Sequence, residues 1–232
     1  MHKSDTERTV MQVKMKRYLG KPFAVFLAAL LAIGLFPAVA SAATHSFDVS
    51  AGDIRVEASS ATPGTLSVSV GGAVAQDGID PADTIKLTGT TNQHRIVVDA
   101  GMAVNLELDT LNITGRTGNV IAIDIANTTA ANMVLTGANV LDNGSSYANT
   151  GHNPTINIAA DASLVIDAAS TGSLRVTGNA AGPAIGGATA GSLTVNGGTI
   201  DAATGSSGIS GGAEHCAIGG GYRGSMKSIV IN

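Results

Sequence analysis

The sequence predicts an all-β chain wound into a solenoid, a parallel β-helix, and three observations carry that prediction. The first is self-similarity. Ala184-Ile185-Gly186-Gly187, three residues and Gly191-Ser192 are answered by Ala217-Ile218-Gly219-Gly220, three residues and Gly224-Ser225, each position moved by 33. A second copy carries Ile166-Asp167-Ala168-Ala169 onto Ile200-Asp201-Ala202-Ala203, a shift of 34. Fixed periods of about 20–50 residues mark stacked supersecondary units. The second observation is composition: 30 Gly, no Trp, and past residue 42 no aromatic side chain except Phe47, Tyr147 and Tyr222. A core without rings must be a thin, regular layer of small and β-branched residues. The third is a period of two in short Val/Ile/Leu runs between Gly-rich corners, with no capped period of 3.6. That alternation also sets the chain apart from disordered sequences of similar Gly and Ser content.

Residues 1–42 read as a secretory signal peptide, which would form a helix. Lys14, Lys16, Arg17 and Lys21 precede an apolar run from Phe23 to Phe36, and Pro37 leads into Ala40-Ser41-Ala42. A basic region, an apolar region and a small-residue A-x-A site are the three parts of such a leader. The apolar run falls short of the roughly 20 residues of a spanning helix. Export places the protein outside the cell or on its surface, with the membrane touched only in transit. Without residues 1–42 the chain keeps seven basic and fifteen acidic residues, a net charge of about −8. Such a surface repels phosphate backbones and excludes nucleic acid as a partner. Cys216 stands alone, so no intrachain disulfide forms, and a small buried thiol is expected there.

Residues 43–83 alternate as strands: Phe47 and Val49, Ile54 and Val56, then Leu66, Val68 and Val70, with turns at Pro63-Gly64 and Gly71-Gly72. They lack the later repeat and read as N-terminal capping strands. Asp77, Asp80 and Asp83 gather at the end of this section. A weak calcium loop is conceivable from three carboxylates, but the spacing is not that of an EF-hand, and an acidic solvated turn is the expectation. Over residues 84–232, strands end repeatedly in Thr-Gly or Asn-Gly corners: Thr88-Gly89, Thr114-Gly115, Thr136-Gly137, Thr177-Gly178 and Asn196-Gly197. Coiling accommodates them, with about three short strands per turn, each paired in parallel with its equivalent one turn away. Aliphatics then stack on aliphatics, and Gly supplies the corners.

Arg95–Asp99, Val104–Ile113, Gly172-Ser173-Leu174, Ala184–Gly187 and Gly197-Gly198-Thr199-Ile200 carry a resemblance. Residues 84–232 resemble exported bacterial right-handed parallel β-helix proteins of the pectin-lyase-like fold, carbohydrate-binding-domain or adhesin-like. The resemblance implies a secreted or cell-surface, non-catalytic rod that serves as adhesin, stalk or carbohydrate-binding surface. Its partner would be a polysaccharide, host glycan or cell-wall glycan. In such proteins more coils and an anchoring tail often follow; this sequence stops inside an apparent strand, Ile229-Val230-Ile231-Asn232.

The competing function is a polysaccharide lyase or glycoside hydrolase on the same fold. Glycosidic cleavage needs paired carboxylates, and the sequence has neither Asp-Asp nor Gly-His-Gly; Gly151-His152-Asn153 comes nearest. Gly219, Gly221 and Gly224 match a dinucleotide-binding pattern, and Gly208-Ile209-Ser210-Gly211-Gly212 a nucleophile elbow, but both chemistries need a following helix that the repeat denies. His45, His94, His152 and His215 are isolated and are expected as exposed loop residues, not as a metal site, and no cofactor is expected. The candidate ligand-binding residues lie in the two enlarged insertions: Tyr147 and His152 in Asn143–Asn153, and Glu214, His215, Tyr222 and Arg223 in Gly211–Arg223. Tyr can stack on a sugar face while Arg and Glu hydrogen-bond its hydroxyls.

Overall fold

Wherever aliphatic residues alternate, strands form. The computed structural model describes residues 42–115, 120–143, 153–179, 182–205 and 216–232, without the side chains of Tyr222 and Arg223. The described residues are all-β, with one 3-10 turn at Val49–Ala51 and two sheets of thirteen and five strands that pair almost entirely in parallel. No helix among them is long and apolar enough to cross a membrane. The signal-peptide reading and Ala40 lie outside the described residues, and Ala42 is exposed at the start of the β unit.

The pairs resolve into three parallel ladders. Ladder one joins β1 (Thr44–Asp48), β5 (Thr84–Thr88), β8 (Ala103–Asp109), β11 (Ala130–Thr136), β14 (Ser163–Ile166) and the second halves of β16 (Ile185–Val195) and β18 (Ile218–Ile231). Ladder two joins β2 (Ile54–Ala58), β7 (Ile96–Val98), β10 (Ile123–Ile125), β13 (Ile156–Ile158) and the first halves of β16 and β18. Ladder three joins β6 (Thr90–Thr91), β9 (Asn112–Ile113), β12 (Ala138–Asp142), β15 (Ser173–Thr177) and β17 (Thr199–Ala203). From β5 onward the chain visits one, three, two and then one again. Both β1 and β2 already lie on ladders, against Thr84–Thr88 and Ile96–Val98. The antiparallel pair β3 (Leu66–Val70) and β4 (Ala73–Ile79) folds back beside β2.

Stacking follows from the register. Ladder two carries an unbroken isoleucine column: Ile54, Ile96, Ile123, Ile156, Ile185 and Ile218 lie opposite one another in turn. On ladder one Ile85, Leu106, Met133, Ile166, Val195 and Ile231 form another. The first five members of the isoleucine column are buried to 2% exposure or less, so these columns are the core.

The internal repeat holds only in part. Ile185 lies opposite Ile218 and Gly187 opposite Gly220, as the shift of 33 requires. Beyond that the register changes: Thr189 faces Ser225 and Ser192 faces Ser228, because residues 221–224 of β18 stand where β16 has Ala188 alone, three residues more. The second copy does not stack at all. Ile166 lies opposite Val195 on ladder one, whereas Ile200 lies opposite Leu174 on ladder three.

Corners differ in how much they vary. Ladder one passes to ladder three first through one or two residues with one left-handed, Gly89 at φ 99°, Thr110 at 53° and Gly137 at 66°, and then through six (167–172) and three (196–198). Ladder two returns to ladder one through four residues each time (99–102, 126–129 and 159–162), or without a break in β16 and β18. The connection from ladder three to ladder two instead runs through four, nine, thirteen, seven and fourteen residues (92–95, 114–122, 143–155, 178–184 and 204–217).

Candidate binding groove

The shortest of those variable connections builds a groove. Buried Thr91 ends β6, and its hydroxyl accepts the backbone N–H groups of Gln93 at 3.1 Å and His94 at 3.2 Å. This local bond bends the chain. Arg95 then turns its N–H toward Asp53, donating to Oδ1 at 3.0 Å, while its carbonyl accepts the N–H of Ile54 at 2.9 Å. The parallel pairing of β2 with β7 thus brings Asp53 against a corner some forty residues later.

Asp53 is seated from its other side by the turn between β3 and β4. Its carbonyl accepts the N–H of Gly71 at 2.9 Å. Gly52 packs so closely on that turn that a Cβ would stand 2.6 Å from the Gly71 Cα. His94 Nδ1 lies 3.4 Å from Asp53 Oδ1, and Arg95 Nε lies 3.9 Å from Oδ2. On β2, Arg55 donates from Nη2 and Nε to Asp99 Oδ2 at 2.8 and 3.1 Å, with Glu57 3.5 Å away. The Asp99 hydrogen bond, then its charge, with Glu57 adding a little, pushes the Arg55 guanidinium above its ordinary pKa. Arg55 is therefore a fixed cation.

Asp53, Arg55, His94 and Arg95, with Ser69 and Gln93, line a cavity of about 640 Å³, within the usual range for small-molecule sites. Asp53 keeps 53% of its side chain accessible and Arg95 41%. A carboxylate acceptor and a guanidinium donor stand side by side, and hydroxyls, which both donate and accept, can use the two together.

The residues singled out from the sequence fare differently. Tyr147, His152, Glu214 and His215 lie outside the described residues. The backbone of Tyr222 and Arg223 belongs to the stretch 221–224 of β18 where the register shifts; their side chains lie outside the description. Three readings are corrected. Cys216 is exposed, not a buried thiol, and its Sγ donates to the Gly220 carbonyl at 3.0 Å, because it precedes β18 on the outside of the corner. His45 and His94 are not free loop residues. His45 is half-buried between Asp83, at 3.0 Å from Nε2, and Gln76, at 2.7 Å from Nδ1, and His94 sits by Asp53. Asp83, expected in a solvated turn, is held by His45 and the Ala43 N–H.

Asp53, Arg55 and Arg95 were not among the binding candidates read from the sequence, since nothing local links residues so far apart. Among the described residues no group of three or more His, Cys, Asp or Glu is placed to hold a metal ion. Elsewhere, Lys86 bridges Asp109 at 2.7 Å and Glu107 at 3.1 Å on the outer face of ladder one. Asn157 donates to Asp124 at 2.8 Å on the outer face of ladder two.

Comparison with known proteins gives one match: a family model described as carbohydrate-binding domain-containing protein covers residues 74–223. That span runs from β4 into β18 and includes Gln93, His94 and Arg95. No curated protein and no solved structure matches the chain.

Proposed function

Because this chain belongs to the carbohydrate-binding domain-containing protein family, we propose that it is an exported, non-catalytic glycan-binding module that works at the cell surface as an adhesin or stalk. In this reading the chain is a right-handed parallel β-helix of the pectin-lyase-like kind, capped at its first turn by residues 43–83, and the three parallel ladders support it. The ligand is a polysaccharide, of a host or a cell wall, and binding needs no cofactor.

One observation carries the reading. Asp53 and Arg95 present acceptor and donor next to each other in a groove about 640 Å³ in volume that Gln93 and His94 also line. Recognition by hydrogen bonds alone suits the groove, since Phe47, the one aromatic ring whose side chain is described past residue 42, is buried. Hydrogen bonds to charged groups contribute about 1.5–3 kcal/mol each, enough for selectivity with modest affinity. The variable connections between ladders three and two are where further contacts belong, because loops on a rigid scaffold carry recognition.

A glycan array probed with the purified chain tests this. Binding to at least one polysaccharide class is expected, weakened about tenfold or more in both Asp53→Asn and Arg95→Ala. Silence across plant, host and bacterial glycans would sink the reading, and unchanged affinity in both variants would move the site elsewhere. Incubation with polygalacturonate, with and without calcium, is expected to yield no new reducing ends; their appearance would make the protein an enzyme.

A further inference from the structure

Near the start of the β unit the backbone N–H of Ala43 is bound by a carboxylate. The Ala43 backbone nitrogen donates to Asp83 Oδ1 at 2.7 Å, and the other oxygen of Asp83 takes His45 Nε2 at 3.0 Å. The Ala43 carbonyl in turn accepts the N–H of Thr84 at 2.8 Å, which starts the pairing of β1 with β5. Ala42 and Ala43 are both exposed, and the compact β unit begins at Ala42. In the sequence, Ala40-Ser41-Ala42 places a small-residue cleavage pattern immediately before Ala43.

We propose that the chain is cut between Ala42 and Ala43, and that the α-ammonium so created is captured by Asp83 as a charged latch on the first turn of the fold. In the cut, a peptidase adds water across the Ala42–Ala43 amide. The C–N bond breaks, the hydroxyl goes to the Ala42 carbonyl, which ionises to a carboxylate, and the protons collect on the Ala43 nitrogen. A neutral N–H donor becomes a cation at the same position, so an ordinary hydrogen bond becomes a charge-assisted one.

The surroundings suit a cation. From β1, His45 faces Asp83, while Gln76 of β4 holds the far ring nitrogen of His45 at 2.7 Å. From the turn before β5, Asp80 accepts the Ala82 N–H at 2.8 Å. From β8, Asn105 fastens that turn by donating to the Pro81 carbonyl at 3.1 Å. Asp77 on β4 adds a further negative charge in the same section, and Lys86 on β5 is occupied by Glu107 and Asp109. Asp83 already sits below the ordinary carboxylate range, first through His45 and next through the Ala43 N–H.

The pH window follows from the two partners. The α-amino group, with an ordinary pKa near 7.7–8.0, is raised by a carboxylate partner. Its stabilisation is complete below that value and disappears as pH rises through the folded value. Asp83 is depressed, so its part is present above about pH 4 and disappears as pH falls through its folded value. The latch is closed between these limits.

Expression of the full chain in an exporting bacterial host, followed by intact mass and N-terminal sequencing, gives the first readout, with Ala43 expected as the first residue. Urea unfolding of the exported protein then gives the second. The midpoint is expected to fall by roughly 0.2–0.5 M between pH 7 and pH 10 in the native sequence, and by clearly less in Asp83→Asn. Acetylating the α-amine near pH 7 is expected to reproduce the high-pH midpoint. An uncut chain, a different first residue, or equal pH dependence in native and Asp83→Asn proteins would each overturn the proposal. None of these outcomes bears on glycan binding, which is read separately at Asp53 and Arg95.

Discussion

Replacing Ile123 by Ala should cost about 3–4 kcal/mol, while the same replacement at Ile231 should cost less than about 1 kcal/mol. Ile123 has no exposed surface and lies between Ile96 and Ile156 in the isoleucine column. Truncation removes three carbon groups, about 2.4 kcal/mol of transfer free energy at roughly 0.8 kcal/mol each. The neighbours cannot collapse into the gap, because each is fixed on a hydrogen-bonded strand about 4.8 Å away, so a cavity contribution adds to the loss. Ile231 stands in a comparable column, opposite Val195, but is 71% exposed. With under a third of its surface buried, the same arithmetic leaves about 0.7 kcal/mol. Ile54 separates burial from position: it is the first isoleucine of its column yet has no exposed surface, and Val70 of the antiparallel β3 lies opposite it. Ile54→Ala should therefore resemble Ile123→Ala. Urea unfolding followed by far-UV circular dichroism measures all three. Similar losses at Ile123 and Ile231, or a loss under about 1 kcal/mol at Ile123, would refute the stacked-column account of the core.

Three other outcomes are expected. Gly52→Ala should destabilise by about 1–3 kcal/mol in urea titrations, because its Cβ would stand 2.6 Å from the Gly71 backbone. It should also weaken glycan binding by displacing Asp53. Thr128→Gly should raise the melting temperature by about 1–3 °C in a thermal scan: Thr128 is exposed at φ 61°, and relief of left-handed strain exceeds the added chain entropy by about 0.5–1 kcal/mol. Lys86→Gln should flatten the acid limb of the stability profile. Asp109 is depressed chiefly by the Lys86 hydrogen bond, so its contribution holds above about pH 4 and is lost as pH falls through its folded value. Lys86 itself is raised, by Asp109 first and Glu107 next, so its contribution fades only as pH rises beyond about 10.4. Urea midpoints between pH 2 and pH 7 in the native and Lys86→Gln proteins provide the comparison.

The all-β class was legible because a narrow core imposes the same demand on every turn. A residue such as Ile185 meets Ile156 on one side and Ile218 on the other, so like follows like and the sequence repeats. Repetition reports equal environments, though, not neighbours. Ile166-Asp167-Ala168-Ala169 and Ile200-Asp201-Ala202-Ala203 each place one aliphatic at the end or middle of a short strand and small residues after it. Ladders one and three both accept that pattern, and the copies never meet. Likewise Gly191-Ser192 and Gly224-Ser225 look equivalent, yet a three-residue shift at 221–224 puts Ser192 opposite Ser228.

The groove was not legible, and the reason lies in what parallel pairing does to exposed residues. Asp53 and Arg95 meet only because Ile54 pairs with Ile96 beside them, and nothing in either charge reveals the register of its neighbour. His94 and His45 look isolated in sequence for the same reason, their partners being supplied from other turns. What the core leaves undetermined is where variation collects. Ladder two returns to ladder one through four residues or fewer, so that connection is bound to the stacking columns, while the passage from ladder one to ladder three is tight and left-handed in its first three turns and then runs through six and three residues. The connection from ladder three to ladder two grows from four residues to fourteen without disturbing those columns. A scaffold that holds its return corner constant and varies most between ladders three and two has one side on which recognition can change while the core stays the same, and Gln93, His94 and Arg95 stand at its first turn.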